Sequence, residues 1–266
     1  MSGILVETIG KVVTVTLDCP PVNALTMARY QEITTIFNAI SQRDDVHCVV
    51  LGATGNKAFC AGLDLQEFLN APADQDSERA AIVRAMFAAV RHCAIPVIAA
   101  VNGFAMGGGF MLVERTDLRV AVHEAVFEVS EAKRWLLGGY NHGHLANLAY
   151  PIAMEMALGF RFTAERFHQL GFINRLVAPE ALIPTAMDMA RHMLTLPPAA
   201  RVNTIHMMRR MRPAPTPAQQ DLAAKLHEHG DKSDLLESRA AFAEKRAPNF
   251  KGWLDPADRY RMPDIE

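Results

Sequence analysis

Hydrophobic and polar residues alternate with a period of two over Val12–Leu17, which predicts a β-strand with one buried face. Beyond the prolines that end this strand, apolar side chains recur at helical spacing from Tyr30 to Ile40 and predict an amphipathic helix. Apolar runs at 46–51 and 97–101 predict two buried strands, each followed by a helix. The first part of the chain therefore alternates strands with helices.

Two further short strands are predicted at Leu118–Val122 and Ala125–Phe127, whereas the pattern from Ala153 onward is almost wholly helical. Strands that alternate with helices, followed by a helical segment, indicate an α/β fold with a helical C-terminal region. We place the α/β core at residues 1–195 and the helical C-terminal region at 196–266.

The composition is that of a globular protein rather than of a membrane or nucleic-acid-binding one. The 266 residues are 50% hydrophobic and carry a formal net charge of −2, so no bulk positive charge attracts nucleic acid or an anionic membrane surface. No run is long and apolar enough to span a bilayer. The first residues lack a signal segment and the four cysteines lack zinc-site spacing, so we expect a soluble cytoplasmic protein without a metal.

Three consecutive glycines, Gly107–Gly109, open a predicted helix. Glycine lets a backbone approach a ligand closely, and the N–H groups at a helix N-terminus bind phosphates or oxyanions. The spacing excludes nucleotide binding, because Phe110, Met111 and Leu112 supply neither the third glycine of a dinucleotide fingerprint nor the lysine of a phosphate loop. The turn can also hold an oxyanion that forms during a reaction, and the structural alternative is that the glycines only permit tight packing.

A second motif, Asn56–Leu65, reads Asn-Lys-Ala-Phe-Cys-Ala-Gly-Leu-Asp-Leu and follows a predicted strand. Asp64 stands at an N-cap position with Glu67 three residues on, a pattern that resembles a capping box. Together with the glycine turn Val101–Gly109, this motif resembles the two signature loops of the enoyl-CoA hydratase/isomerase (crotonase) family.

The resemblance, which extends from about Ile4 to Gly252, implies a fold and an assembly. The implied fold is a crotonase-like spiral of repeated strand-strand-helix units, whose helical C-terminal region builds a homotrimer or a hexamer made as a dimer of trimers. The implied substrate is an acyl-CoA thioester. No cofactor is implied, since coenzyme A enters as part of the substrate.

The resemblance also implies an oxyanion hole built from the backbone N–H groups of Leu63 and Gly108. Removing the proton beside a thioester carbonyl leaves an enolate, and two fixed donors stabilise its oxygen. The family usually adds two glutamates as acid and base. Met111 stands at the first of these positions, whereas Glu131, four residues after Phe127, stands at the second. Glu131 is therefore the leading acid/base candidate.

A single glutamate changes the reaction that we expect. Hydration needs a water that both carboxylates usually hold and activate. Moving a double bond from position 3 to position 2 needs one base, which removes a proton at C2 and returns it at C4. On chemistry alone, isomerisation outranks hydration. A non-catalytic acyl-CoA binding protein, in which methionine at the first position marks lost chemistry, is the alternative from a different class.

Two other carboxylates are weaker catalytic candidates. Glu114 lies one helical turn from Met111, on roughly the same helix face. Glu128 precedes the leading candidate, Glu131, by three residues along a strand or loop. Ion pairs with Arg115 or Arg134 are the plainer explanation for both carboxylates.

The glycine-rich segment Gly138–His144 departs from the family pattern and adds Tyr140, Asn141, His142 and His144 to a loop. An imidazole titrates in the range useful for catalysis, so His142 or His144 is a candidate for a second acid/base. The corresponding functional alternative is a rewired hydrolase that cleaves a thioester or a carbon–carbon bond. Loop surface or a subunit contact is the plainer explanation.

Contacts with the substrate complete the prediction. The resemblance implies backbone contacts to coenzyme A from the first loop, and a lysine and an aromatic residue from the C-terminal segment of a neighbouring subunit. The substrate-binding candidates are Asn23, Ala24, Leu25, Lys57, Phe59, Ala61, Gly62, Asp64, Leu65, Gly107, Met111, Tyr140, Phe242 and Lys251.

Overall fold

The computed structural model describes residues 3–70, 76–133, 137–229 and 232–250. In these ranges the strands are β1 (Gly3–Ile9), β2 (Val12–Asp18), β3 (Ala24–Leu25), β4 (Cys48–Ala53), β5 (Ala58–Cys60), β6 (Gly62–Leu63), β7 (Val97–Val101), β8 (Phe104–Met106), β9 (Leu118–Val122), β10 (Val126–Glu128), β11 (Arg161–Thr163) and β12 (Arg175–Val177). The α-helices are α1 (Met27–Ile40), α2 (Leu65–Asn70), α3 (Asp76–Arg91), α4 (Gly108–Glu114), α5 (His142–Leu145), α6 (Tyr150–Ala157), α7 (Ala164–Gln169), α8 (Leu182–Leu194), α9 (Pro198–Arg210), α10 (Pro217–Leu226) and α11 (Lys232–Ala243), with 3-10 turns at Glu131–Lys133 and Pro179–Ala181. Among the described helices, none combines the length and the apolar character needed to cross a membrane.

The chain forms two compact units that interleave along the sequence. Within the described ranges, the first unit comprises Met1–Glu128 and Arg161–Arg212, and the second comprises Val129–Phe160 and Pro213–Glu266. The units do not coincide with the sequential regions predicted on either side of residue 195. The segment after β10 groups with the last helices rather than with the sheets.

The sheets lie in the first unit, and successive strands are allocated to them in a repeating order. One sheet has the order β1-β2-β4-β7-β9-β12, in which β1 pairs antiparallel with β2 and the later neighbours pair parallel. A second sheet has the order β11-β10-β8-β5, and β3 pairs with β6. The successive pairs β4/β5, β7/β8 and β9/β10 each place one strand in the first sheet and the next in the second. This repeat is the strand-strand-helix spiral that the resemblance implied.

The central strands β4 and β7 are buried over nearly their whole length, which explains why their sequences are continuous apolar runs. Helix α8 packs against both strands and against β9. Strand β2 alternates more clearly, since Thr14 and Thr16 are half-buried between fully buried neighbours. The predicted helix from Tyr30 to Ile40 is confirmed as the larger part of α1.

The region predicted to be almost wholly helical contains two strands, β11 and β12. Each has three residues, which is too short to show a period of two. Their partners define them: β11 pairs antiparallel with β10, and β12 pairs parallel with β9. The helical prediction for this stretch was therefore wrong at these two places.

A cluster of five phenylalanines anchors α4 inside the first unit, and its members are Phe110, Phe127, Phe162, Phe167 and Phe172. Phe110 stacks on Phe172 with ring centroids 5.5 Å apart, and Phe162 stacks on Phe167 at 4.6 Å. Such pairs stabilise by about 0.5–1.5 kcal/mol beyond the area they bury. Because Phe110 directly follows the three glycines, this packing also fixes the glycine turn.

We expect Phe110→Ala to lower the free energy of unfolding by about 3–5 kcal/mol, because it removes a fully buried ring from this cluster. Phe104→Ala, at a position that is 38% exposed, is the matched control and is expected to cost less than about 1 kcal/mol. Denaturant unfolding followed by circular dichroism measures both. Equal losses would contradict the role given to the cluster.

Candidate active site

The two signature loops meet through backbone atoms in the first unit. Strands β5 and β8 pair in parallel with a register shift. A Cβ on Gly109 would lie 2.0 Å from the carbonyl oxygen of Cys60, and a Cβ on Gly103 would lie 2.6 Å from that of Lys57. No side chain fits in either place. The glycines thus permit the first loop to lie directly against the turn that opens α4.

This contact brings together the two residues expected to bind an oxyanion. A Cβ on Gly62, whose φ is +85°, would lie 2.9 Å from the amide nitrogen of Gly108, and a Cβ on Gly108 would lie 3.8 Å from that of Leu63. The amide of Asp64 donates to the carbonyl of Leu25 at 2.9 Å. Because successive strand amides point in opposite directions, the Leu63 N–H faces away from β3. Gly108 is the first residue of α4, so its N–H points out of the helix end.

Both ends of α4 are held by hydrogen bonds to residues outside the helix. At its start, the Gly107 N–H donates to the Glu128 carbonyl at 2.8 Å. At its end, the Arg119 guanidinium donates to the carbonyls of Val113 at 3.1 Å and Glu114 at 3.0 Å. Burial lowers the pKa of Arg119 to about 10. The sequence reasoning gave Arg119 no role; an arginine shortly after a helix, where it can cap the last carbonyls, was the available signal.

The two weaker carboxylate candidates are buried and paired with arginines. Glu114, with a side chain 1% exposed, forms an ion pair with Arg115. Glu128 accepts a 2.6 Å hydrogen bond from Arg161. The partner expected for Glu128, Arg134, lies outside the described residues. These contacts match the structural explanation for both carboxylates.

In the second unit, the structure brings Glu131 and His142 together. Glu131 lies on a 3-10 turn, and its Oε1 is 3.9 Å from Nε2 of His142. The imidazole is buried, and the carboxylate side chain is 19% exposed. Among the described residues, the other oxygen, Oε2, is buried without a hydrogen-bond partner. Buried carboxylate oxygens are almost always bonded, so an orphaned one marks a candidate functional group.

The segment that carries His142 contains a short helix where the sequence predicted a loop. Residues from His142 onward form α5, in which the N–H groups of His142 and Leu145 donate to the carbonyls of Gly139 and Asn141. His144 is exposed on this helix, and Tyr140, which precedes it, is 37% exposed. Partial burial raises the pKa of Tyr140. The structure therefore distinguishes the two histidines, which the sequence treated as equivalent.

The coenzyme A candidates include buried side chains, exposed side chains and one residue outside the described ranges. Asn23 is buried with φ +53°, and its side chain bonds the backbone of Cys19, Thr54 and Ala58. The Phe59 side chain is likewise buried in the core, which leaves its backbone for any ligand contact. The side chains of Lys57, at the tip before β5, and of Phe242 are exposed, whereas Lys251 lies outside the described residues.

The predicted capping box at Asp64 is half correct. Its Oδ1 accepts from the Glu67 N–H at 2.9 Å, as an N-cap does. The Glu67 carboxylate does not return to Asp64, whose N–H is already used by Leu25. It accepts instead from the Met27 N–H at 2.8 Å, at the start of α1. The second half of the motif thus links α2 to α1.

A family model described as enoyl-CoA hydratase/isomerase matches residues 7–253. The chain belongs to the enoyl-CoA hydratase/isomerase family. It is accordingly an enzyme that acts on acyl-CoA thioesters.

The relatives in this family are named for several different reactions. The chain is 38% identical over 185 residues to a (7aS)-7a-methyl-1,5-dioxo-2,3,5,6,7,7a-hexahydro-1H-indene-carboxyl-CoA hydrolase of Rhodococcus jostii, covering 67% of this chain and 69% of the relative. It is 33% identical over 263 residues to a carnitinyl-CoA dehydratase of Salmonella arizonae, covering 91% and 96%. The crystal structure of an enoyl-CoA hydratase from Mycobacterium smegmatis superposes with a TM-score of 0.73 at 31% identity, covering 92% of this chain and 98% of that one. The crotonase fold is confirmed.

Substituting Gly108 tests the amide pair without removing a side chain. A Cβ on Gly108 would lie 2.7 Å from the Tyr30 hydroxyl oxygen, so we expect Gly108→Ala to displace the amide and lower kcat/KM for an acyl-CoA substrate about 10²-fold or more. Steady-state kinetics measures this loss. Adding Tyr30→Phe removes the clashing oxygen and is expected to restore part of the rate. No recovery would show that the Tyr30 contact is not the cause.

Proposed function

We propose that this enzyme generates and protonates the enolate of an acyl-CoA thioester, with Glu131 as its acid/base. The observation that carries the proposal is the buried Oε2 of Glu131, which has no hydrogen-bond partner. A carboxylate oxygen kept unpaired inside a protein costs free energy. A substrate proton that binds there offsets this cost during turnover.

In this proposal the thioester oxygen binds to the amides of Leu63 and Gly108. Negative charge grows on that oxygen as the C2 proton leaves, so fixed donors stabilise the transition state more than the substrate. Losing one such donor typically costs about 3–4 kcal/mol. The proximity of Gly62 to Gly108 supports this assignment. We also propose that the enzyme assembles as a homotrimer or hexamer. Phe242 and Lys251 of a neighbouring copy would then contact coenzyme A.

Among the reactions of the family, we favour the shift of a double bond from position 3 to position 2. Glu131 takes a proton from C2 and the electron pair moves into the thioester enolate. The same carboxylic acid then returns the proton at C4, and the double bond re-forms between C2 and C3. This sequence needs one base and no activated water, which fits methionine at position 111.

Hydrolysis of a carbon–carbon bond is the second candidate. Two observations favour it: His142 lies 3.9 Å from the Glu131 carboxylate, and the Rhodococcus relative is named as a hydrolase. Glu131 and His142 would take a proton from water as its oxygen attacks a ketone carbon attached to C2. The bond from that carbon to C2 would break, its electron pair would enter the thioester enolate, and C2 would then be protonated.

Glu131→Gln is expected to lower kcat about 10²–10⁴-fold on the substrate of the wild-type enzyme, because the amide cannot exchange the proton. Mass spectrometry of a thioester panel, with 3-enoyl, 2-enoyl and cyclic 3-oxo acyl groups, identifies the product. Glu124→Gln, at an exposed glutamate, is the control. Undiminished turnover in Glu131→Gln would refute this role. Tight binding of thioesters without turnover by the wild-type protein would support a non-catalytic protein instead.

Met111→Glu supplies the carboxylate that the family usually has at this position. We expect it to raise hydration of a 2-enoyl thioester about tenfold or more, because a second carboxylate can hold and activate water. Met111→Gln has the same length without a charge and is the control. Absorbance loss of the conjugated thioester measures hydration. An equal gain with glutamine would indicate a wider site rather than a new acid/base.

A further inference from the structure

The two oxygens of the Glu131 carboxylate have different surroundings. Oε1 faces Nε2 of His142 at 3.9 Å, within ion-pair range but longer than a hydrogen bond. Oε2 is buried and unpartnered. The carboxylate is therefore oriented by its surroundings, with one oxygen toward an imidazole and the other left for a ligand.

The local backbone is built to bring these side chains together. A Cβ on Gly139 would lie 2.6 Å from Cδ2 of His142, 2.2 Å from Cγ1 of Val129 and 3.4 Å from Oε2 of Glu131. Any side chain at this position would have to displace its neighbours. Glycine here allows the imidazole to lie beside the carboxylate.

Helix α5 fixes the position of the imidazole from the other side. The His142 N–H donates to the Gly139 carbonyl at 3.2 Å. A Cβ on Gly143 would lie 2.4 Å from Cα of Ala153, so α5 lies directly against α6. The backbone that carries His142 is therefore held by the Gly139 carbonyl and by the close approach of Gly143 to α6, although α5 has only four residues.

We propose that His142 is a positioning residue for Glu131, an inference that rests on the proposed function. The imidazole holds the carboxylate so that Oε2 meets the substrate proton.

Other titratable groups lie on the elements around this pair. They are Lys133 on the turn of Glu131, Tyr140 and His144 beside or on α5, and Glu155 on α6. Within the described residues, Nε2 of His142 lies within ion-pair range of the Glu131 carboxylate.

His142→Ala is expected to lower kcat about tenfold with KM for the thioester nearly unchanged, because the imidazole contacts Glu131 rather than coenzyme A. His142→Gln keeps a hydrogen-bond donor at this position and is expected to recover part of kcat.

Three comparisons make the result decisive. His123→Ala, an exposed histidine of the first unit, controls for general effects, and thermal unfolding of each variant checks its folding. Adding His142→Ala to Glu131→Gln should cause no further loss, because both act through one carboxylate. If Glu131→Gln abolishes activity while His142→Ala keeps the wild-type kcat, this inference is overturned and the proposed function stands. An equal loss of kcat in His144→Ala would also overturn it, whereas an active Glu131→Gln would overturn the proposed function itself.

Discussion

The contact between the backbone of the glycine turn and strand β5 is the constraint on which the site in the first unit depends. Gly109 approaches the carbonyl of Cys60, and Gly103 approaches that of Lys57, at distances that leave no room for a Cβ. Because backbone rather than side chains makes the contact, its geometry is as rigid as the sheet it joins. The amides of Leu63 and Gly108 are positioned by this contact, not by any flexible side chain.

Helix α4, which begins at the glycine turn, is attached to the rest of the first unit at three places. Its first turn is tied to β10 through the Glu128 carbonyl, its Phe110 ring is held in the phenylalanine cluster, and its last carbonyls are capped by Arg119. Arg119 also lies over the Phe172 ring, with its guanidinium carbon 4.2 Å from the ring centroid. One buried cation thus links the helix end to the aromatic cluster. The direction of the helix, and hence of its first amides, is fixed by these three attachments.

The three candidate carboxylates have different partners. Glu114 and Glu128 each form an ion pair with an arginine, which compensates their charge. The Glu131 carboxylate has one oxygen 3.9 Å from the His142 imidazole, and its other oxygen is buried without a hydrogen-bond partner among the described residues. The pairing of each glutamate, rather than the number of glutamates, therefore distinguishes Glu131 as the candidate acid/base.

The sequence by itself determined the alternation of strands and helices, both signature loops and the family, because these depend on residue type and spacing along the chain. Periodicity reports which face of an element is buried, but it does not report which distant group arrives there. Tertiary structure alone decided that Glu67 bonds Met27 and that β11 and β12 form. It also decided that His142, and not the exposed His144, lies against Glu131. The physical reason is common to all three: each contact joins residues whose proximity the fold creates.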